Sequence, residues 1–287
     1  MLKRRIIATL LVRDGWVVQS RQFGSYLPVG RPEVAAEYLD RWGADELCLL
    51  DCSASGRGAP DIEMVSRVAD RLRIPLTVGG GIRSANHAAC LIRAGADRVC
   101  VTGALQRGGE LLKLIGDVCG VQAVVAGVDY HRIAGGGVQV VSMPREFSGP
   151  IVDWVAELVS AGAGEILLHA IDADGTGCGF DIEIARQVSQ VAPVPVIASG
   201  GAGSPVHFEE LFTCTLVAGG AAGNLFSFCE QSISYVKGYL SSGTIPIRIE
   251  GIPSYTDCQF DVRGRPLGKG DEALAALRFK HIEDELP

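Results

Sequence analysis

The sequence predicts a (β/α)8 barrel, an α/β fold built from two half-barrel repeats and followed by a C-terminal extension. Three observations carry that expectation. Short apolar runs alternate with amphipathic helical segments eight times over. Most of the runs are nearly continuous in apolar residues, as strands covered on both faces must be. The chain also repeats itself: Gly43-Ala-Asp-Glu-Leu-Cys-Leu-Leu-Asp51 returns as Gly162-Ala-Gly-Glu-Ile-Leu-Leu-His-Ala170, and Val78-Gly-Gly-Gly-Ile82 returns as Ser199-Gly-Gly-Ala-Gly203. A doubly wound open sheet would also alternate, but its GxGxxG turn after the first strand is missing.

In chain order, the expected strands are Arg5–Val12, Glu46–Asp51, Pro75–Val78, Arg98–Thr102, Ala123–Asp129, Glu165–Ile171, Pro195–Ser199 and Thr215–Ala222. The last has the least strand character, being mostly Ala and Gly. The helices between and after them are Pro32–Trp42, Ile62–Leu72, Ala85–Ala94, Gly109–Cys119, Ile151–Ala161, Ile182–Val191, Pro205–Phe212 and Phe226–Tyr239. The barrel is expected over residues 1–240. The extension, 241–287, is rich in Gly and Pro and then charged, with a helix expected over Asp271–Glu283 capped by Asp271.

Composition narrows the class. The 287 residues suit one barrel, which takes ~250. Hydrophobic residues at 47% and charged residues at 21% exclude disorder. A net charge of −7 argues against a nucleic-acid or anionic-membrane binder, though backbone amides can still hold a phosphate. The N-terminal apolar run is short and lacks a cleavage site, and no window is long enough to span a membrane. Nine cysteines without a CxxC pair point to a cytoplasmic protein with free thiols. Cys48 and Cys52 lack the partners that a metal would need, so neither metal nor cofactor is expected.

Barrel chemistry sits at the C-terminal ends of the strands. Gly80, Gly81, Thr102 and Gly103 form one candidate phosphate cradle there, and Gly200, Gly201, Gly223 and Asn224 form a second across the mouth, with Asp174 and Gly175 beside it. Glycine lets backbone N–H groups approach a phosphate closely, and a following helix adds its dipole. A ligand with two phosphates is the expected occupant. Asp51 and Asp129 end strands, where they could cap a loop, bind a hydroxyl or move protons. His169 faces the mouth if alternation holds, as a packed residue or as an acid–base group.

Together these residues resemble the cyclase subunit of imidazole glycerol phosphate synthase, over about residues 1–250. The resemblance is carried by Arg5-Ile-Ile, Val12-Arg-Asp-Gly15, Asp45-Glu-Leu, Leu50-Asp51, Val78-Gly-Gly-Gly-Ile82, Gln122-Ala-Val-Val, Asp153-Trp154, Ile171-Asp-Ala-Asp-Gly-Thr176 and Val196-Ile-Ala-Ser-Gly-Gly-Ala-Gly203. It implies a barrel docked on a glutaminase subunit, whose ammonia crosses the barrel and is joined to a doubly phosphorylated ribonucleotide. It also implies an ammonia gate in the barrel floor, matched here by Arg5, Glu46, Arg98 and Glu165, with Arg where Lys is usual at position 98.

The departures fall at the chemistry. Of the family's two catalytic aspartates, Asp129 matches one and Leu11 replaces the other, and leucine moves no proton. Gln19 stands for a lysine, Thr102-Gly103 for an Asn-Thr pair and His169 for a threonine. The leading expectation is therefore an ammonia-accepting barrel specialised, like certain paralogues, for supplying ammonia to the amidination of an amino sugar in surface-polysaccharide (lipopolysaccharide) synthesis, with a third amidotransferase enzyme doing that chemistry. The first alternative is a working cyclase of histidine biosynthesis, with the lost proton transfer reassigned to His169 or Asp51. The second is a non-catalytic phosphate-binding scaffold. Whether the barrel itself catalyses is left open at this level.

Overall fold

Eight parallel strands close on themselves. The computed structural model describes residues 3–270 apart from 134, 136, 145–148, 228, 251, 254, 256, 257 and 269, and the side chain of Ser55 is not described. The strands are β1 (Arg5–Arg13), β2 (Trp16–Arg21), β3 (Ser25–Gly30), β4 (Glu46–Asp51), β5 (Leu76–Gly79), β6 (Arg98–Val101), β7 (Val124–Arg132), β8 (Val138–Val140), β9 (Glu165–Ala170), β10 (Val196–Ser199) and β11 (Gly219–Ala222). β1, β4, β5, β6, β7, β9, β10 and β11 pair in that order, all parallel. β11 returns to β1 with Arg5 opposite Gly219 and Ala8 opposite Ala222, which closes the (β/α)8 barrel.

β2, β3 and β8 were not among the expected strands. β2 and β3 form an antiparallel hairpin continuing β1, and β8 folds back on β7. The signal for the first was present: Asp14-Gly15, with φ of 51° and 81°, is a two-residue turn of the kind that joins hairpin strands. The expected last strand is shorter than read. Thr215 ends α8 instead, its hydroxyl donating to Leu211 O (2.6 Å) and accepting from Val217 N (3.4 Å).

The helices are α1 (Pro32–Arg41), α2 (Ala54–Arg57), α3 (Ile62–Ala69), α4 (Ala85–Arg93), α5 (Glu110–Cys119), α6 (Ile151–Ser160), α7 (Ile182–Val191), α8 (Pro205–Cys214), α9 (Asn224–Ser227) and α10 (Ser232–Ser241). Asp61, Ser84 and Asp181 cap α3, α4 and α7, accepting from the N–H groups of Met64, His87 and Ile184. The expected helix over Phe226–Tyr239 is split into α9 and α10, and the one expected over Asp271–Glu283 lies outside the described residues.

The outward strand faces and the inner helix faces form the main core, with Trp154, Phe208 and Phe226 among its largest members. A separate cluster fills the barrel interior: Ile7, Cys48, Cys100, Val125, Leu167, Ile197 and Ala221, with Leu50 against it. Near the floor, Lys237 of α10 pairs with Asp45 (2.7 Å), and the other Asp45 oxygen accepts from Ile6 N (2.7 Å). Both side chains are almost fully buried. This pair ties α10 to the start of β4. Past α10 the described chain runs back along the outside: Arg4 N donates to Pro246 O (2.7 Å), Phe260 stacks edge-on to Tyr239, and Gly264 abuts Pro205.

Candidate functional site at the mouth and floor of the barrel

The two halves of the barrel present different chemistry at equivalent places. Ile7 pairs with Glu46 and Val125 with Glu165, so the repeat is also a repeat of hydrogen-bond register. Four residues further along the strands, Leu11 stands opposite Leu50 and Asp129 opposite His169. One half of the mouth thus carries an apolar pair and the other a carboxylate–imidazole pair. The register also corrects the glycine repeat by one position. Gly79 pairs with Leu50 and Ser199 with His169, so Gly79 matches Ser199 and Gly80 matches Gly200.

A cavity of about 840 Å³ opens above these pairs. Leu11, Leu50, Asp129 and His169 line its base, while Asp51, Gly80, Gly81, Thr102 and Gly103 line its rim together with Arg83 and Arg107. A smaller adjoining cavity takes Asp174, Gly175, Gly200, Gly201, Gly223 and Asn224, and shares Leu11 and His169 with the first. The expected cradle residues therefore divide into two groups, one on each side of the same floor.

The cradles share one construction. Gly80 has φ of 109°, and a Cβ there would lie 2.3 Å from Asp51 O. Gly200 has φ of 97°, and a Cβ there would lie 2.5 Å from Ala170 O. Asp51 and Ala170 are themselves repeat equivalents. In each half, a positive-φ glycine lets the loop cross the end of the preceding strand, which no residue with a side chain could do.

Asp129 accepts no side-chain hydrogen bond among the described residues. Burial pushes its carboxyl above the ordinary value, against the pull of His169 and His131. His169 is buried, with Nδ1 3.1 Å from Ser199 Oγ and Nε2 3.9 Å from Asp174 Oδ1. Asp51 is differently placed. One oxygen accepts from Ser53 N, Ser53 Oγ and Ala54 N (2.9, 2.7 and 3.1 Å), and the other meets Arg57. Its carboxylate holds the turn of α2. Cys52, beside it, is pushed up to about 12 by burial and by Asp51, Asp129 and Asp174, so its thiol stays protonated.

Sequence reasoning missed the hairpin's part in this site. Gln22 N donates to Asp174 O (2.9 Å) and Gln22 Nε2 to Asp172 O (2.8 Å), while Asn224 Nδ2 donates to Ser20 O (2.7 Å). Phe23, in the left-handed region at φ 50°, sets its ring edge-on to His169 at 5.3 Å. Ser199 and Ser142 were also missed. Both are buried at the cavity walls, and Ser142 Oγ has no partner among the described residues.

At the floor, Arg5, Glu46, Arg98 and Glu165 meet in a closed ionic ring. Arg5 reaches Glu46 at 2.8 Å and Glu165 at 2.5 Å; Arg98 reaches Glu46 at 2.8 Å and Glu165 at 3.4 Å. Burial pushes the Glu46 carboxyl up, but hydrogen bonds from Arg98 and Arg5 outweigh it and hold it below the ordinary value. Both guanidinium groups are held above theirs, the two carboxylates outweighing desolvation. The Arg98–Glu165 limb is the longest of the four.

The model of the family described as histidine biosynthesis protein matches residues 5–232. The imidazole glycerol phosphate synthase subunit HisF of Acidobacterium capsulatum is 44% identical over 253 residues, covering 87% of this chain and 99% of that protein. Those of Streptococcus sanguinis and Streptococcus gordonii are each 42% identical over 252 residues, covering 87% of this chain and all of theirs.

The chain belongs to the histidine biosynthesis protein family.

All eight barrel strands of this family member lie within the matched span, and so do both cradles, the ionic ring and the Asp129–His169 pair. About an eighth of the chain has no counterpart in the three relatives, which are nearly or wholly covered by the match. Among the described residues, no group of three His, Cys, Asp or Glu side chains could hold a metal ion, and no helix is long and apolar enough to cross a membrane.

Proposed function

We propose that this barrel is the cyclase subunit of a cytoplasmic imidazole glycerol phosphate synthase, taking ammonia from a glutaminase partner through its floor and joining it to a doubly phosphorylated ribonucleotide in its mouth. The observation that carries the reading is the alignment of three layers. The ionic ring lies below, the apolar cluster of Ile7, Cys48, Cys100, Val125, Leu167, Ile197 and Ala221 lies in the middle, and the Asp129–His169 pair lies above.

Each layer suits one step. Four charges in a barrel floor persist because they are paired, and loosening the 3.4 Å Arg98–Glu165 limb opens a path at the smallest electrostatic cost. The middle layer offers neutral ammonia no charge, since burial pushes Cys100 up to about 12 and Cys48 up as well. At the mouth the two glycine cradles hold the phosphate ends, with Arg83 and Arg107 on the side of Gly80, Gly81, Thr102 and Gly103 and the backbone of Gly175, Gly200, Gly201, Gly223 and Asn224 on the other. Asp129 and His169 move the protons of ring closure. Asp51 supports the same mouth by anchoring the Ser53–Arg57 turn.

A second reading rests on the Leu11–Leu50 pair, which leaves one half of the mouth without an acid–base group. In that reading the barrel passes ammonia on to a third enzyme that amidates an amino sugar for a surface polysaccharide. The deciding experiment mixes the full chain with its glutaminase subunit, glutamine and the histidine-pathway ribonucleotide. Stoichiometric cyclised product supports the cyclase. Glutamine hydrolysis without cyclisation supports ammonia supply to another acceptor. No stimulation of the glutaminase would leave only a phosphate-binding scaffold.

A further inference from the structure

The environment of His169 contains more than the family resemblance implies, because the resemblance expects a threonine at this position. Its Nδ1 lies 3.1 Å from Ser199 Oγ, on the next strand of the barrel. Its Nε2 has no hydrogen-bond partner among the described residues although it is buried, and the same holds for Asp174 Oδ2. The two side chains face each other with Nε2 and Asp174 Oδ1 3.9 Å apart, too far for a hydrogen bond and close enough for attraction. Both line the smaller cavity, as does Ser199. Buried polar atoms without partners are rare and call for a ligand or a catalytic task. Phe23 closes the ring's outer edge.

We infer that Ser199 is a positioning residue that ties Nδ1–H of His169, leaving Nε2 as the one nitrogen that exchanges a proton with the ligand, and that Asp174 stabilises the charged ring. The inference rests on the cyclase reading and supplies the acid–base partner of Asp129 that Leu11 does not provide. In the charged form Nδ1–H donates to Ser199 Oγ and Nε2–H points into the cavity. Transfer of the Nε2 proton to a ligand nitrogen or oxygen leaves a neutral ring that keeps Nδ1–H on Ser199. Nε2, now bare, can take a proton back when the new ring loses one. The hydrogen bond made by one ring nitrogen thus decides the role of the other. The other titratable groups around the ring are Asp129 on the neighbouring strand, His131 beyond it, and Tyr26, Cys52 and Cys100 at the mouth.

The test is histidine-selective 15N NMR of the full chain in complex with its glutaminase subunit, with His169→Gln assigning the resonance. It needs no turnover. The neutral wild-type ring is expected to carry its proton on Nδ1, and Ser199→Ala to move it to Nε2, the commoner tautomer of free histidine. Ser199→Thr, which keeps the hydroxyl, is expected to restore Nδ1. A wild-type ring protonated on Nε2, or a tautomer unmoved by Ser199→Ala, would overturn the inference even if cyclisation were robust. In the coupled assay, Ser199→Ala is expected to lower kcat about tenfold with little change in KM and to shift one limb of the pH–rate profile. His169→Gln is expected to lower kcat by ~10²–10³ and remove that limb. Lack of cyclisation by the wild type would refute the cyclase reading while leaving the NMR result to decide the array.

Discussion

Leu11 pairs with Leu50 across β1 and β4 at the register position that Asp129 and His169 occupy across β7 and β9. The strand register is therefore the same in the two halves, while only one of them carries ionisable side chains at this position. Leu11 still contributes to both cavities, and it is 7% exposed. A carboxylate placed there would face Asp129 across the cavity base.

Leu11→Asp is expected to raise kcat/KM for cyclisation by about 10²-fold, the lower range of what one acid–base group contributes. The same change puts a poorly hydrated carboxylate against Leu50 and should cost about 1–3 kcal/mol of stability. Steady-state turnover with glutamine and a thermal melt read the two effects. An unchanged rate in a folded variant would show that the missing aspartate does not limit the reaction.

Removing Arg98 leaves Glu46 and Glu165 to Arg5 alone. Arg98→Ala is expected to cut product formed per glutamine hydrolysed at least tenfold while ligand affinity changes less than twofold, as measured by paired glutamate and product assays and by calorimetry. The ring also has a pH signature. Because Glu46 has a folded-state pKa below its unfolded one, its stabilising contribution is full above the unfolded carboxyl range of ~4.3 and is lost as pH falls through the folded value. Arg98→Ala raises the folded pKa, so the acid-unfolding midpoint should move to higher pH.

The two cradles can be separated with alanine. Gly80→Ala and Gly200→Ala each drive a Cβ into a strand-end carbonyl at a positive φ. Each is expected to weaken a bisphosphorylated ligand by tenfold or more. A ligand lacking the phosphate bound at the altered cradle should be little affected. Gly103→Ala meets nothing within 4 Å and should melt like the wild type. Isothermal titration with the two monophosphorylated ligands tells the ends apart.

Lys237→Met should leave Asp45 as an unpaired buried carboxylate. Burial already pushes the Asp45 carboxyl above its ordinary value despite Lys237. A raised carboxyl pKa means that Asp45 costs stability above its unfolded pKa, and the cost is relieved as pH falls through the folded value. The single variant is expected to lose about 3–5 kcal/mol at neutral pH, less at pH 4, in denaturant titrations at both.

The alternation of apolar runs with amphipathic segments, and the Glu46–Glu165 repeat, determined the barrel, its strand order and the rim residues, because period and strand order are local properties of the chain. The division of the cradles was legible because strand ends in a barrel must converge, whereas the four residues of the floor ring were named through the resemblance to the cyclase subunit and not from the pattern of the chain. The Asp14-Gly15 turn was equally legible and predicts the hairpin that the eight-strand reading left out. A loop cap was among the roles the sequence offered Asp51, and the structure selects it by setting Ser53, Ala54 and Arg57 against its carboxylate. Two things were decided only by tertiary structure. Ser199 reaches His169 because neighbouring strands pair in one register. Phe23 covers that ring because the hairpin folds across the mouth onto Asp172 and Asp174. Each joins residues whose meeting depends on loop path or strand register, and no periodicity in the sequence encodes distances of that kind.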